Sequence, residues 1–239
     1  MANQLEFILN NLLPLLIGFP GQRPGGLLMS IILAVVGISI GFALAIPLAL
    51  GQRSRIAPLR WACSLLVDVF RGLPLILLLV IVFQVIGSGR FGFRLEPRGA
   101  ALISLALYSA AYQAEIVRAG LAAIPAHFDE IGRMFGCTPR QRFAHIQFPM
   151  MVRTMFPAFT SQAISLFKDT SVVIVVGMSE LMMSARILLG NDINNAPYWV
   201  SVYLTVGLLY FVAAFALSKW AGRFEEKQNL NNTVNYAGQ

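Results

Sequence analysis

Five stretches of this chain, residues 27–50, 61–86, 99–121, 150–176 and 198–218, stay apolar for about twenty residues each. A helix needs about 20 mostly apolar residues to cross a hydrocarbon layer roughly 30 Å thick, so each stretch predicts a membrane span. Only 12% of the residues are charged, against about 25% in an ordinary soluble domain, and a water-soluble core does not account for that deficit. The expectation is one all-α membrane domain over residues 27–220, a five-helix transmembrane bundle, followed by a tail at 221–239.

Residues 1–26 hold a further apolar stretch, Leu5 to Phe19, interrupted by Asn10, Asn11 and Pro14 and preceded by no basic residue. That pattern does not fit a cleaved signal peptide, and the stretch is too broken to span. It reads as an amphipathic segment at the outer membrane surface.

The net charge of +7 does not point to nucleic acid, because the cationic residues sit in short segments between apolar runs, as topology signals do. With the amino terminus outside, eleven of the eighteen fall on the cytoplasmic side: Arg53, Arg55 and Arg60, then Arg118, Arg133, Arg140, Arg142 and Arg153, then Lys219, Arg223 and Lys227. Five face outward: Arg23, Arg90, Arg94, Arg98 and Arg186. The imbalance orients the chain amino terminus out, carboxyl terminus in. Cys63 and Cys137 then lie on the cytoplasmic side and read as free thiols.

This topology makes residues 122–149 the longest internal cytoplasmic loop. Pro125 suits a first helical turn, Phe128, Ile131 and Phe135 recur at helical spacing, and Asp129 can pair with Arg133 one turn on. Gly136 can take the left-handed conformation that ends a helix, and Thr138-Pro139-Arg140-Gln141 reads as a capping box opening another. The loop is therefore expected to be helix, turn, helix; by spacing alone it could equally be a pair of interfacial helices without a partner.

The same loop carries Glu130-Ile131-Gly132, three residues, Gly136, nine residues, and Ile146-Gln147-Phe148-Pro149. This resembles the Glu-Ala-Ala…Gly…Ile-x-Leu-Pro motif in the cytoplasmic loop of bacterial ATP-binding-cassette importer permeases. Ile131 and Gly132 replace the alanines and Phe148 the leucine. Three more stretches resemble the polar-amino-acid branch of that family, in its order: Arg71-Gly72-Leu73-Pro74-Leu75, then Ala111-Tyr112-Gln113-Ala114-Glu115 through Arg118 and Gly120, then Lys168-Asp169-Thr170-Ser171.

The resemblance implies a bundle of the type I ABC importer kind in the bacterial inner membrane, with a helical cytoplasmic coupling loop. It implies a second permease subunit, identical or similar, an ABC ATPase dimer beneath, and an extracytoplasmic amino-acid-binding protein above. ATP and Mg would be held by the ATPase, with no cofactor in this chain. By resemblance Glu130, Gly136 and the apolar face of Phe128, Ile131 and Phe135 are the residues expected to touch the ATPase.

Gln162, Ser165 and Asp169 fall at i, i+3 and i+7 on one face of the fourth span, and ionisable groups at such depth normally face a partner or a water-filled path. Asp169 can receive an ammonium, with Ser165 and Gln162 adding neutral hydrogen bonds; Lys168 and Asp169 could instead serve as structural partners near the span's outer end. Gly72 and Pro74 break the second span, and broken helices expose backbone groups to substrate. Arg71 either adds charge there or pairs with Asp68 at i−3. No second carboxylate shares the Asp169 face, which favours a neutral or acidic polar amino acid.

The chain lacks a Gly-x-x-x-x-Gly-Lys-Ser/Thr phosphate loop, so it is expected to be a transport subunit and not an enzyme. His127 and His145 both fall in the cytoplasmic loop and read as surface residues. A self-sufficient secondary transporter or channel is the alternative, but such proteins usually show internal repeats and none is evident here. A purely structural scaffold would leave the Asp169 face without purpose.

Overall fold

The computed structural model describes residues 2–20, 24–90, 92 and 94–237, with side chains except at 2, 3 and 225–237. Arg23 of the outward charge count and residues 238–239 of the tail lie outside it, as does the Lys227 side chain. The described residues are almost wholly helical, with one isolated bridge between Ser88 and Arg94.

In chain order the helices are α1 (Ala2–Asn10), α2 (Leu12–Ile17), α3 (Gly26–Gln52), α4 (Ala57–Gly72), α5 (Leu75–Val80), α6 (Pro97–Ala123), α7 (Ala126–Met134), α8 (Pro139–Arg142), α9 (Phe148–Asp169), α10 (Leu181–Gly190) and α11 (Trp199–Ala237). Among the described residues four helical stretches are long and apolar enough to cross a membrane: Gly26–Gln52, Pro97–Ala123, Pro139–Val176 and Ile193–Phe224. A bent pair, Ala57–Gly72 followed by Leu75–Ile86 with 105° between its halves, is apolar and long enough for a fifth when its two helices are taken together.

The break falls at Gly72 and Pro74, where the sequence placed it, and the first half starts earlier than residue 61, at Ala57. A residue before proline is driven out of the α region, and Leu73 sits at φ −86°, ψ 133° while Pro74 caps α5. The fourth span is also interrupted: α9 stops at Asp169 and a tighter 3₁₀ stretch carries the chain from Thr170 to Val176.

The bundle is organised around the crossing of α3 on α6. A Cβ at Gly41 would lie 2.7 Å from the Ser109 side chain, so only glycine lets the two backbones come this close, as small residues do between membrane helices. Beside that contact Gln113 donates to Ser109 Oγ at 2.7 Å and to the Ile38 carbonyl at 3.1 Å. Leu33, Leu105, Leu79 and Leu166 fill the layer around it.

The amino-terminal segment is docked and not merely laid on a surface. Leu15 is fully buried with Leu181, Ala185, Leu188 and Val202, and Phe7 stacks on Tyr198 at 4.2 Å. Cys63 and Cys137 are free thiols.

Candidate functional site

Residues 122–149 form helix, turn, helix. Pro125 lies just outside α7 as its cap, not in the first turn. At the other end Gly136 has φ +71°, Cys137 N–H donates to the Gly132 carbonyl at 2.9 Å and Gly136 N–H to the Arg133 carbonyl at 2.9 Å. This pair of bonds around a left-handed residue is the Schellman ending. The capping box at Thr138 is present in both directions: Gln141 N–H donates to Thr138 Oγ1, and Thr138 N–H to Gln141 Oε1 at 2.8 Å.

Asp129 is the brace of this loop. Its Oδ2 accepts from Arg133 Nε at 3.0 Å, its Oδ1 from Arg142 Nε at 2.8 Å and from Gln147 Nε2 at 3.1 Å. Arg142 also donates to the Cys137 carbonyl at 2.9 Å. The Arg142 guanidinium, aided by Arg133, holds the Asp129 carboxyl below its ordinary range by hydrogen-bonding the charged form. Sequence spacing anticipated the Arg133 contact; Arg142 and Gln147 were not anticipated, because they come from the helix after the turn.

The glycine that stands in place of a motif alanine has a structural reason. A Cβ at Gly132 would lie 2.9 Å from Arg142 Cδ and 3.0 Å from Ile146 Cδ1, so the bare backbone of α7 is where α8 and its π-helical continuation cross. With that inner side covered, Ile131, Met134 and Phe135 point out: Met134 is 86% and Phe135 83% exposed. Glu130 is exposed, and Phe128 is half-buried with its ring 4.2 Å from that of His127.

The second group of residues lies deeper in the bundle. Asp169 ends α9 half-buried, Gln162 is half-buried and Ser165 exposed on the same helix. Asp169 is within electrostatic range of Tyr108, whose hydroxyl lies 3.4 Å from that of Tyr112. Tyr112 in turn donates to the Arg71 carbonyl at 3.5 Å and receives the Arg71 guanidinium over its ring at 5.6 Å.

Arg71 therefore pairs with α6 and not with Asp68: its Nη1 lies 3.7 Å from Glu115 Oε2. Gly72 and Pro74 flank the bend directly behind it. Tyr112 and Glu115 belong to the Ala111–Glu115 motif already noted in the sequence; Tyr108, one turn earlier on the same face at i, i+4, i+7 spacing, carried no motif to mark it.

Residues 37–228 match the family model described as "Binding-protein-dependent transport system inner membrane component". The chain belongs to this family. It is a multi-pass component of the inner membrane, a permease subunit without an ATPase site of its own, and its fold is that of type I ABC importer permeases.

Relatives within this permease family include the "Probable glutamine ABC transporter permease protein GlnP" of Bacillus subtilis (strain 168), 32% identical over 203 residues that cover 85% of this chain and 92% of that one. The "L-cystine transport system permease protein TcyB" of the same organism is 30% identical over 194 residues, 81% of each chain. Among solved structures, one titled "Crystal structure of an amino acid ABC transporter with histidines" superposes with a TM-score of 0.74 at 28% identity, covering 84% of this chain and 91% of that one.

Proposed function

We infer that this permease forms half of an ATP-driven importer that carries polar amino acids across the inner membrane. The observation that supports it most is the similarity to GlnP, which extends over 203 residues and 92% of that permease. The chain pairs with a second permease subunit, an ATPase dimer binding ATP and Mg docks on the coupling loop, and an extracytoplasmic binding protein delivers the amino acid. Lipid covers the outer faces of the bundle, and the amino terminus lies outside with the carboxyl terminus in the cytoplasm.

The geometry supplies a lever. Ile131, Met134 and Phe135 form the exposed apolar end that inserts into the ATPase, with Phe128, Glu130 and the Gly136 turn beside it. Because Asp129 ties α7 to Arg142 and Gln147, a push on α7 moves the helical stretch Pro139–Val176 with it. That stretch carries Gln162, Ser165 and Asp169, where the substrate ammonium is held. Arg71 and the break at Gly72 and Pro74 face the same path across Tyr112.

The test is reconstitution of the permease with its ATPase and binding protein in vesicles, followed by uptake of radiolabelled glutamine, glutamate and other polar amino acids. ATP-dependent uptake is expected, and Phe128 or Glu130 substitutions are expected to leave ATP hydrolysis running without it. Uptake driven by an ion gradient with no ATPase present overturns the reading.

A further inference from the structure

The corner between α3 and α4, together with the end of α6, lines a wide-open cavity of about 600 Å3. Small-molecule sites span about 300–1,000 Å3. It lies at the coupling-loop end of the bundle, since α3 reaches it at Gln52 and α6 passes it before running into α7. Asp169 is at the opposite end of α9 from that loop, so the cavity is separate from the Gln162–Ser165–Asp169 face.

Its walls carry both signs of charge: Arg60 and Arg118 against Asp68 and Glu115. Arg60, Asp68 and Arg118 are exposed to this cleft, and their pairing is lopsided. Glu115 is saturated by Arg118 at 2.8 and 3.1 Å, by Gln52 Nε2 at 3.0 Å and by Arg71 at 3.7 Å. Asp68 enters no hydrogen bond or close ion pair among the described residues and lies only within electrostatic range of Arg118, which is committed to Glu115, and Arg60 makes only a 3.4 Å contact to the Ser54 carbonyl among them.

One carboxylate and one guanidinium thus line the cavity with bonding capacity to spare. Beside them Gln52 Oε1 is buried without a hydrogen-bond partner. A simple anion would satisfy Arg60 and leave Asp68 bare, and a simple cation would do the reverse. A small zwitterion satisfies both with charge-assisted bonds, and Trp61 offers an apolar wall for its side chain.

We propose that this cavity is a second amino-acid station, at the coupling-loop end of the path, in which Asp68 takes the α-ammonium and Arg60 the α-carboxylate. The proposal rests on the amino-acid import reading. Tyr108, Tyr112 and Glu115, successive turns of one α6 face, connect the Asp169 region to it, so an amino acid passing along α6 meets this pair of charges last.

The experiment is equilibrium binding of each of the twenty radiolabelled L-amino acids to the complete nucleotide-free complex in lipid nanodiscs, without binding protein. For the transported amino acid, two components are expected. Asp169→Asn removes one; Asp68→Asn and Arg60→Gln each weaken the other at least tenfold and leave the first alone. Ser64→Phe, which fills the cavity without removing a charge, is expected to abolish the same component, and a thermal melt of each complex checks folding.

A single component lost in Asp169→Asn, or two components that Asp68→Asn, Arg60→Gln and Ser64→Phe all leave unchanged, overturns the station. If ATP-driven uptake of an amino acid persists in that case, the import reading stands without it. Absence of ATP-driven uptake for every amino acid overturns the import reading and the station together.

Discussion

Arg142 Nε donates to Asp129 Oδ1 at 2.8 Å across thirteen residues of chain, and that bond makes one body of the helices on either side of the Gly136 turn. Asp129→Asn keeps the shape and removes the charge that both arginines use. Faster proteolysis between α7 and α8 is expected, with uptake reduced while ATP hydrolysis continues.

The pH dependence of this brace follows from the direction of the shift. The Asp129 carboxyl is held below its ordinary value of 3.8 in the folded loop, so its contribution is fully present above that value and is lost only as pH falls through the lower folded one. Protection of the loop from protease is therefore expected to be flat from pH 8 to pH 5. A decline within that window contradicts the brace.

Gly132→Ala sets two effects against each other. Alanine improves helix propensity by up to about 1 kcal/mol, but its Cβ meets Arg142 Cδ at 2.9 Å and Ile146 Cδ1 at 3.0 Å, and such overpacking costs about 1–3 kcal/mol. Arg142 cannot easily give way, because Asp129 and the Cys137 carbonyl hold its head. The variant is expected to loosen the loop, and adding Arg142→Ala is expected to cost less than the two single effects summed. Strict additivity in ATPase affinity contradicts this crossing.

Phe135 is 83% exposed and Met134 86%, so truncating either leaves the permease fold with nothing to lose. Buried apolar anchors at interfaces contribute about 2 kcal/mol or more, which is roughly thirtyfold in affinity. Phe135→Ala is expected to release the ATPase from the complex on size exclusion while the thermal midpoint of the permease stays put. A lowered midpoint with the ATPase still bound argues against docking here.

The spans were legible because an apolar run of membrane length leaves few alternatives, and the loop was legible because caps and turns are short-range chemistry: Thr138 and Gln141, or Gly136 and its neighbours, stand within a few residues. The 105° bend had a local signal in Gly72 and Pro74, but its size depends on how α5 packs. Gly132 stands in sequence only as a replacement for a motif alanine, since nothing near it announces Arg142. Glu180 gave no signal at all. Its partners Ser30 and Tyr210 are 150 and 30 residues away, and helix α10, which it caps, was not anticipated.

Asp169→Asn is expected to weaken the apparent affinity for the transported amino acid roughly ten- to 150-fold, the equivalent of losing a charge-assisted hydrogen bond of about 1.5–3 kcal/mol. Tyr112→Phe tests the other wall. It retains the ring beneath the Arg71 guanidinium and loses only the 3.5 Å bond to the Arg71 carbonyl, so a mild effect is expected, whereas Tyr112→Ala removes both. Substrate-stimulated ATP hydrolysis in the reconstituted complex measures all three, and an unchanged affinity in Asp169→Asn rejects the ammonium contact.

Glu180 is fully buried and accepts from Met182 N–H at 2.8 Å, Met183 N–H at 2.9 Å and the Tyr210 hydroxyl at 2.8 Å, with Ser30 at 3.4 Å. It thereby pins the start of α10 between α3 and α11. Glu180→Ala strands these donors, and leaving a buried donor unsatisfied costs about 1–3 kcal/mol. Glu180→Gln keeps one acceptor oxygen and so one of the two backbone bonds, which go to different carboxylate oxygens, while the Tyr210 hydroxyl can rotate to accept from the new amide. The thermal midpoint of the purified complex is therefore expected to fall well below wild type in Glu180→Ala and by less in Glu180→Gln. Equal losses in the two variants would mean that the carboxylate charge, and not its geometry as an acceptor, holds α10 in place.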